Sequence, residues 1–255
     1  VGVETPAALN TDSSLILRYS FEEISAPTLY DSSGYGNNGT IIGAVSNILY
    51  QQASSIKLGK CFEWKSNTTA TTTHIIINTP QLIHNNATEF TVTGWIFFNA
   101  APSGTHTIIS KRKYLNGGHT FLIYLNGASL YFNIYYDFAG SAAANYTQIN
   151  TAAMTANNWH FIACTYRYIT NGTSQMKIYI DGNLSASTTT GYGPLYLTTS
   201  PIVIGNFLNA TGSPGDPYPN YQFRGGATTG KMDEIRYYNR CLNADEIYQL
   251  YFSQK

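Results

Sequence analysis

The stretch GKMDEIRYYNRCLNADEIYQLY, Gly230 to Tyr251, decides the fold class. It reads as a strand, a short turn and a capped terminal helix. Period two puts Asp233, Ile235 and Tyr237 on one face of the strand, with Met232, Glu234, Arg236 and Tyr238 on the other. Asp233 is thereby expected beside two large core-seeking side chains. An ionised carboxylate there needs a cation, backbone donors or a proton, because burying it unpaired is costly. Beyond the strand, Asn243 and Glu246 have capping-box spacing ahead of apolar Ile247 and Leu250, which predicts a short terminal helix.

The rest of the chain carries strand signals separated by turn residues, the pattern of a sandwich. Alternation is clear through Phe90–Phe97 and through Lys177-Ile178-Tyr179-Ile180. The second run enters Asp181-Gly182, a type I′ hairpin dipeptide, and returns through Leu184. Leu122–Leu125 enters Asn126-Gly127 and returns through Leu130, a second hairpin of the same kind. No charge block, Gly/Ser linker or internal repeat divides the chain. One domain over residues 15–255 is expected, preceded by an arm over residues 1–14. The small, polar stretch 139–145 and the Pro/Gly-rich stretch 208–226 read as loops.

Hydrophobic residues make up 43% of the 255, ample for a core, and charged residues only 11%, against about 25% in a typical soluble domain. The formal net charge is zero, so electrostatics invites neither nucleic acid nor an anionic membrane. Few charges also leave little to oppose self-association. No apolar run approaches the roughly 18 residues of a membrane-spanning helix, and no membrane insertion is expected. A surface rich in Tyr, Thr, Asn and Gly suits an extracellular, secreted or virion-associated protein. Val1 in place of a methionine fits a cleaved leader or a trimmed start. Sequons at Asn38, Asn67, Asn86, Asn145, Asn171, Asn183 and Asn209 are of the number that so much Asn, Thr and Ser yields by chance. Cys61, Cys164 and Cys241 show no metal-ligand spacing. They are expected as inert buried thiols, with a Cys61–Cys241 bridge as the competitor.

The Gly230–Tyr251 stretch resembles the closing motif of laminin-G-like, or concanavalin A-like, jelly rolls. The resemblance runs in order through YSFEEISAPTLYDSSGYGNNG from Tyr19, GKCFEW from Gly59, FTVTGWIFF from Phe90, WHFIACTY from Trp159, KIYIDGN from Lys177 and IVIGNF from Ile202. It implies an all-β, antiparallel jelly-roll β-sandwich with a short C-terminal helix. In such jelly rolls a calcium ion commonly ties the opening loop to the strand near the C-terminus. Carried over by motif, Glu22, Asp31, Asn37, Asn38 and Asp233 are the implied ligands, with hard oxygen donors of the kind Ca²⁺ takes. Phe21-Glu22-Glu23 stands where the family often has Phe-Asp-Glu. Read from the residues alone, Asp31 and Asn37 make Asx turns and Asp233 accepts backbone amides.

Loop tyrosines, Tyr114, Tyr136, Tyr146, Tyr192, Tyr218 and Tyr221, are candidate platforms for a sugar, since tyrosine is flat and stiff with a polar tip. No particular glycan site is singled out. Catalysis has no candidate residues. The related glucanases carry a Glu-x-Asp-x-x-Glu pattern, absent here, and adjacent Asp233 and Glu234 point to opposite faces of a strand. The five histidines lack His-Glu-x-x-His spacing, and His160 reads as structural. The expected function is a non-catalytic, calcium-stabilised module that binds a glycan or a cell-surface protein in adhesion. The alternative is a structural subunit of an extracellular filament or virion surface, a homo-oligomer or polymer whose N-terminal arm contacts a neighbour.

Overall fold

β-Branched and aromatic runs punctuated by glycine turns fold here into two stacked antiparallel sheets. The computed structural model describes residues 6–22, 24–43, 48–52, 59–65, 73–78, 88–113, 118–136, 146–196, 198–208, 223 and 229–255. In chain order its strands are β1 Leu15–Tyr19, β2 Ile24–Ser25, β3 Thr28–Leu29, β4 Gly39–Ile42, β5 Ile48–Gln52, β6 Lys60–Lys65, β7 His74–Ile77, β8 Glu89–Phe98 and β9 Thr105–Lys113. They continue with β10 Gly118–Asn126, β11 Ser129–Tyr135, β12 Tyr146–Asn150, β13 Trp159–Thr170, β14 Thr173–Ile180, β15 Asn183–Thr190, β16 Ile202–Ile204 and β17 Thr229–Tyr238. Among the described residues two helices, α1 Pro6–Thr11 and α2 Ala244–Gln254, flank them.

The first sheet runs β15-β14-β13-β8-β17-β6-β5, with β1 also on β17; the second runs β12-β11-β10-β9-β16-β7-β4-β3-β2. Between them lies the main core, including Phe62, Trp64, Phe90, Ile96, Phe121, Ile123, Phe132, Ile162, Tyr166 and Tyr237, all buried. The fold class expected from the sequence is the one observed. Asp181-Gly182 turns the β14–β15 hairpin with φ of 51° and 78°, as a type I′ turn requires. Asn171-Gly172, at 48° and 76°, closes the β13–β14 hairpin in the same way. The β10–β11 turn differs from expectation by one residue. Asn126 pairs with Ser129, so the loop is Gly127-Ala128, with Gly127 at φ 60° in the first central position, the pattern of a type II′ turn.

A second apolar cluster sits on the outer face of the first sheet. Trp95, Phe161, Ala163, Tyr179 and Tyr238 pack there against Leu9 of α1 and Ile247 and Leu250 of α2. The terminal helix starts as its residues dictate. Asn243 accepts from the Glu246 amide at 3.0 Å, while Glu246 accepts from the Asn243 amide at 2.7 Å. The N-terminal arm also folds back on its own chain. Leu9 is buried, Asn10 accepts from Arg236, and Asp12 lies 2.7 Å from Arg240. In this chain residues 8–14 are thus held by a buried leucine and an ion pair. All three cysteines are free thiols, which removes the Cys61–Cys241 bridge. Burial pushes the Cys164 thiol up, leaving it inert.

Candidate functional site

The acidic pair of the closing strand lies where β17 changes partners. Thr229–Met232 pair with β6, whereas Ile235–Tyr238 pair with β1. Along the opposite edge, Asp233 faces Trp95 but Arg236 faces Thr93, so three steps on β17 match two on β8. The extra residue is a bulge, with Glu234 at φ 48°. This exchanges the expected faces of Met232 and Asp233 and leaves those of Ile235 to Tyr238 as expected. Met232, Ile235 and Tyr237 point into the core, while Asp233 lies with Arg236 and Tyr238 on the outer side. Simple alternation failed because an inserted residue shifts every later side chain by one face.

Glu234 is clasped by two guanidiniums. Arg18 Nε and Nη2 donate to its two oxygens at 3.0 and 2.9 Å, and Arg236 Nη2 lies 2.7 Å from Oε2. Burial alone would raise its pKa, but the charges of Arg236 and Arg18 hold it below the ordinary carboxylate value. Asp233 behaves oppositely. Oδ1 accepts the Glu234 amide at 2.7 Å, Oδ2 is buried without a partner, and desolvation, then the Glu234 charge, push its pKa up to about 9.

The implied calcium ligands divide into two groups. Asp31, Asn37 and Asn38 build one loop from their own hydrogen bonds. Asp31 Oδ1 accepts the Arg18 and Ser33 amides, Oδ2 accepts the Ser33 hydroxyl and the Asn37 amide, and Asn38 Oδ1 accepts the Asp31 amide. Four bonds use the Asp31 carboxylate's lone-pair directions, which leaves it poorly placed to hold a cation. Asn37 Nδ2 donates to the Ile16 carbonyl at 2.5 Å, and its Oδ1 is buried and unpaired. Glu22 and Asp233 form the other group. Glu22 Oε1 accepts the Lys60 amide at 2.8 Å, tying the end of β1 to the start of β6, and its charge raises the Asp233 pKa further. Among the described residues, no three His, Cys, Asp or Glu side chains form a metal-holding group.

The candidate tyrosines scatter. Tyr114, Tyr218 and Tyr221 lie outside the described residues. Tyr192 stacks on Tyr136 with ring centroids 4.8 Å apart, and Tyr146 leans on Tyr135.

A different group of residues forms a concave site. At one end of the first sheet a cleft of about 360 Å³ is lined by Trp95, Thr155, Asn158, Trp159, His160, Asp181, Tyr251 and Lys255. That volume is typical of small-ligand clefts, about 300–1,000 Å³. Trp159 is half-buried at the start of β13, and its ring meets Phe97 at 5.8 Å. Tyr251 comes from the last turns of α2 and packs on Trp95, whose indole N–H donates to Gln254 at 2.9 Å. Gly182 carries no side chain under Tyr248 and Tyr251, which lets the helix close on the hairpin turn. Asp181 caps that turn. Its Oδ1 accepts the Phe161 amide and its Oδ2 lies 2.9 Å from His160 Nδ1. Flat aromatic walls with an amide, a carboxylate and an ammonium at the rim are the chemistry that grips a sugar ring.

Known proteins bear on this arrangement. A profile of the concanavalin A-like lectin/glucanase superfamily matches residues 69–248. The chain belongs to that superfamily. No curated protein sequence matches it. Among solved structures, this superfamily member is similar to the binding domain of Paraclostridial Mosquitocidal Protein 1, with a TM-score of 0.65 and 17% identity over 94% of this chain and 52% of that one. It is equally similar, at TM-score 0.65 and 18% identity, to a structure from work on botulinum neurotoxin type C, whose cell entry depends on two ganglioside molecules; 97% of this chain and 52% of that one are covered. A botulinum neurotoxin DC binding domain in complex with rat synaptotagmin II matches at TM-score 0.65 and 18% identity, over 95% of this chain and 52% of that one. The chain therefore spans about half the length of these solved chains, and the likeness is one of fold.

The cleft was not legible in the sequence. Its residues come from β8, the approach to β13, the β14–β15 turn and α2. Trp159-His160 and Asp181-Gly182 were visible as strand and turn signals, but nothing in their spacing says that they meet.

Proposed function

We propose that this superfamily member is a non-catalytic binding module that takes a glycan in the Trp159–Tyr251 cleft. One observation carries the reading: two half-buried aromatic rings, Trp159 and Tyr251, converge with Asn158, Asp181 and Lys255 in a cleft of sugar-ligand size. The solved structures it resembles are binding domains, which supports a binding rather than a catalytic role and an extracellular setting. No helix among the described residues is long and apolar enough to cross a membrane. A glycan array followed by titration of the strongest hit tests the proposal. Trp159→Ala is expected to weaken binding by about tenfold or more, on the scale of one stacked aromatic contact and its buried area, read well below the melting midpoint because the variant also loses its packing on Phe97. An array with no hit, or a Trp159→Ala protein that binds as before, defeats it.

A structural calcium ion belongs to the same proposal. What supports it is Asp233 Oδ2, buried and unpaired, with the charge of Glu22 close enough to raise the Asp233 pKa. These two carboxylates would hold the ion together with main-chain oxygens, replacing the proton on Asp233. Thermal melts with calcium and with chelator are the check, and identical midpoints with no bound metal would remove it.

A further inference from the structure

We propose that His160 is a pH-set pin for the cleft: as an imidazolium it ties the 155–159 wall to the Asp181 turn, and on losing its proton it lets that wall loosen. For its ligand the proposal rests on the glycan-binding reading; for the pin it rests on geometry. His160 is buried, and each ring nitrogen faces an oxygen acceptor. Nδ1 lies 2.9 Å from Asp181 Oδ2, and Nε2 lies 3.0 Å from the Thr155 carbonyl. Only the doubly protonated ring can donate to both.

A neutral ring that keeps the Asp181 bond turns the Nε2 lone pair toward the Thr155 carbonyl, two acceptors in contact. The one donor then within reach is the Thr155 hydroxyl at 3.2 Å, which already accepts from Asn158 Nδ2 at 3.1 Å. Satisfying Nε2 this way gives up a charge-assisted bond and turns the Thr155 backbone away. Trp159 follows four residues later on the same wall. The groups facing His160 are Asp181 from the β14–β15 turn, Thr155 from the preceding loop and the Phe98 ring of β8, stacked at 6.2 Å. Further charges at the cleft are Lys255, which follows α2, lines the cleft and senses Asp181, and Lys231 of β17, which lies over the Phe97 ring that meets Trp159. Burial disfavours the cation, but the Asp181 hydrogen bond, the Thr155 carbonyl and the Asp181 charge outweigh it and raise the pKa above 6.5. The pin is therefore complete below pH 6.5 and is lost as pH rises through the raised value.

The test uses the protein's own fluorescence. Trp64 and Trp95 are buried and Trp159 is the accessible indole, so acrylamide quenching reports the cleft wall. Quenching is expected to increase between pH 5.5 and pH 8.5, and His160→Gln is expected to abolish that step. A pH-independent wild type, or a step that survives in His160→Gln, overturns the pin. Nitrogen-detected NMR of the His160 ring decides the matter without a variant: both nitrogens protonated at pH 6 support it, and a neutral ring overturns it. On a glycan array read at both pH values, the hits are expected to bind about tenfold more weakly at pH 8.5, the scale of one charge-assisted hydrogen bond. Hits of equal strength at both pH values overturn the coupling. An array with no hit at either pH defeats the glycan reading, and quenching and NMR then decide the pin by themselves.

Discussion

Arg18 and Arg236 are register partners across the β1–β17 pair, and both guanidiniums close on the single carboxylate of Glu234. Like charges directly opposite on a sheet repel. Here the bulge residue supplies the anion between them. The cluster extends outward, since Arg236 also donates to Asn10, and Arg240 joins Asp12 to Glu246 of the helix cap. Residues 10–12 and the start of α2 are thus tied to β17 and to the turn that follows it.

Glu234→Gln removes the shared anion and leaves two guanidiniums facing each other, one of them with 1% of its side chain exposed. A loss of about 3–5 kcal/mol is expected, the scale of breaking a buried ion pair, measured by urea unfolding at pH 7. The pH dependence has a defined sign. The folded-state pKa of Glu234 is depressed, so its contribution is present above the ordinary value of 4.5 and is lost as pH falls through the folded value. Acid titration of wild type and Glu234→Gln is expected to converge at low pH.

Asp233 carries the opposite sign. Its pKa rises from 3.8 to about 9, so the fold gains from this group below 3.8 and loses that gain progressively up to about 9. In chelator, Asp233→Asn is expected to stabilise the protein, with an advantage that grows between pH 4 and pH 8. With calcium present, wild type is expected to gain stability while Asp233→Asn does not. Unfolding curves of both proteins in both buffers make the comparison.

Gly94→Ala tests the bulge from the neighbouring strand. A methyl group there would collide with Ile235 Cδ1, which fills the space over the glycine. Overpacking of about 1–3 kcal/mol is expected. Ile235→Val removes the colliding atom, so the double variant is expected to lose less than the sum of the two single losses, read from unfolding midpoints.

Asn243→Ala removes the side-chain oxygen that accepts the Glu246 amide. A cost of about 1 kcal/mol is expected. Glu246→Ala is expected to cost more, because Glu246 also lies 2.8 Å from Arg240. Denaturant midpoints of the two variants give the order.

Elements whose signals are local were readable along the chain. Asn243 and Glu246 made a cap, Asp181-Gly182 made a hairpin, and alternating apolar residues made strands, because each depends on residues a few positions apart. The family could also be read, since its motifs follow one another in order. What tertiary structure alone decided depends on residues brought together from afar. The face of Asp233 turned on a bulge at Glu234, a non-glycine residue at φ 48° that no composition rule marks. The cleft turned on Trp159, Asp181 and Tyr251 converging from segments far apart in the chain. Periodicity tells which way a side chain points from its own strand; only packing tells which side chains it meets.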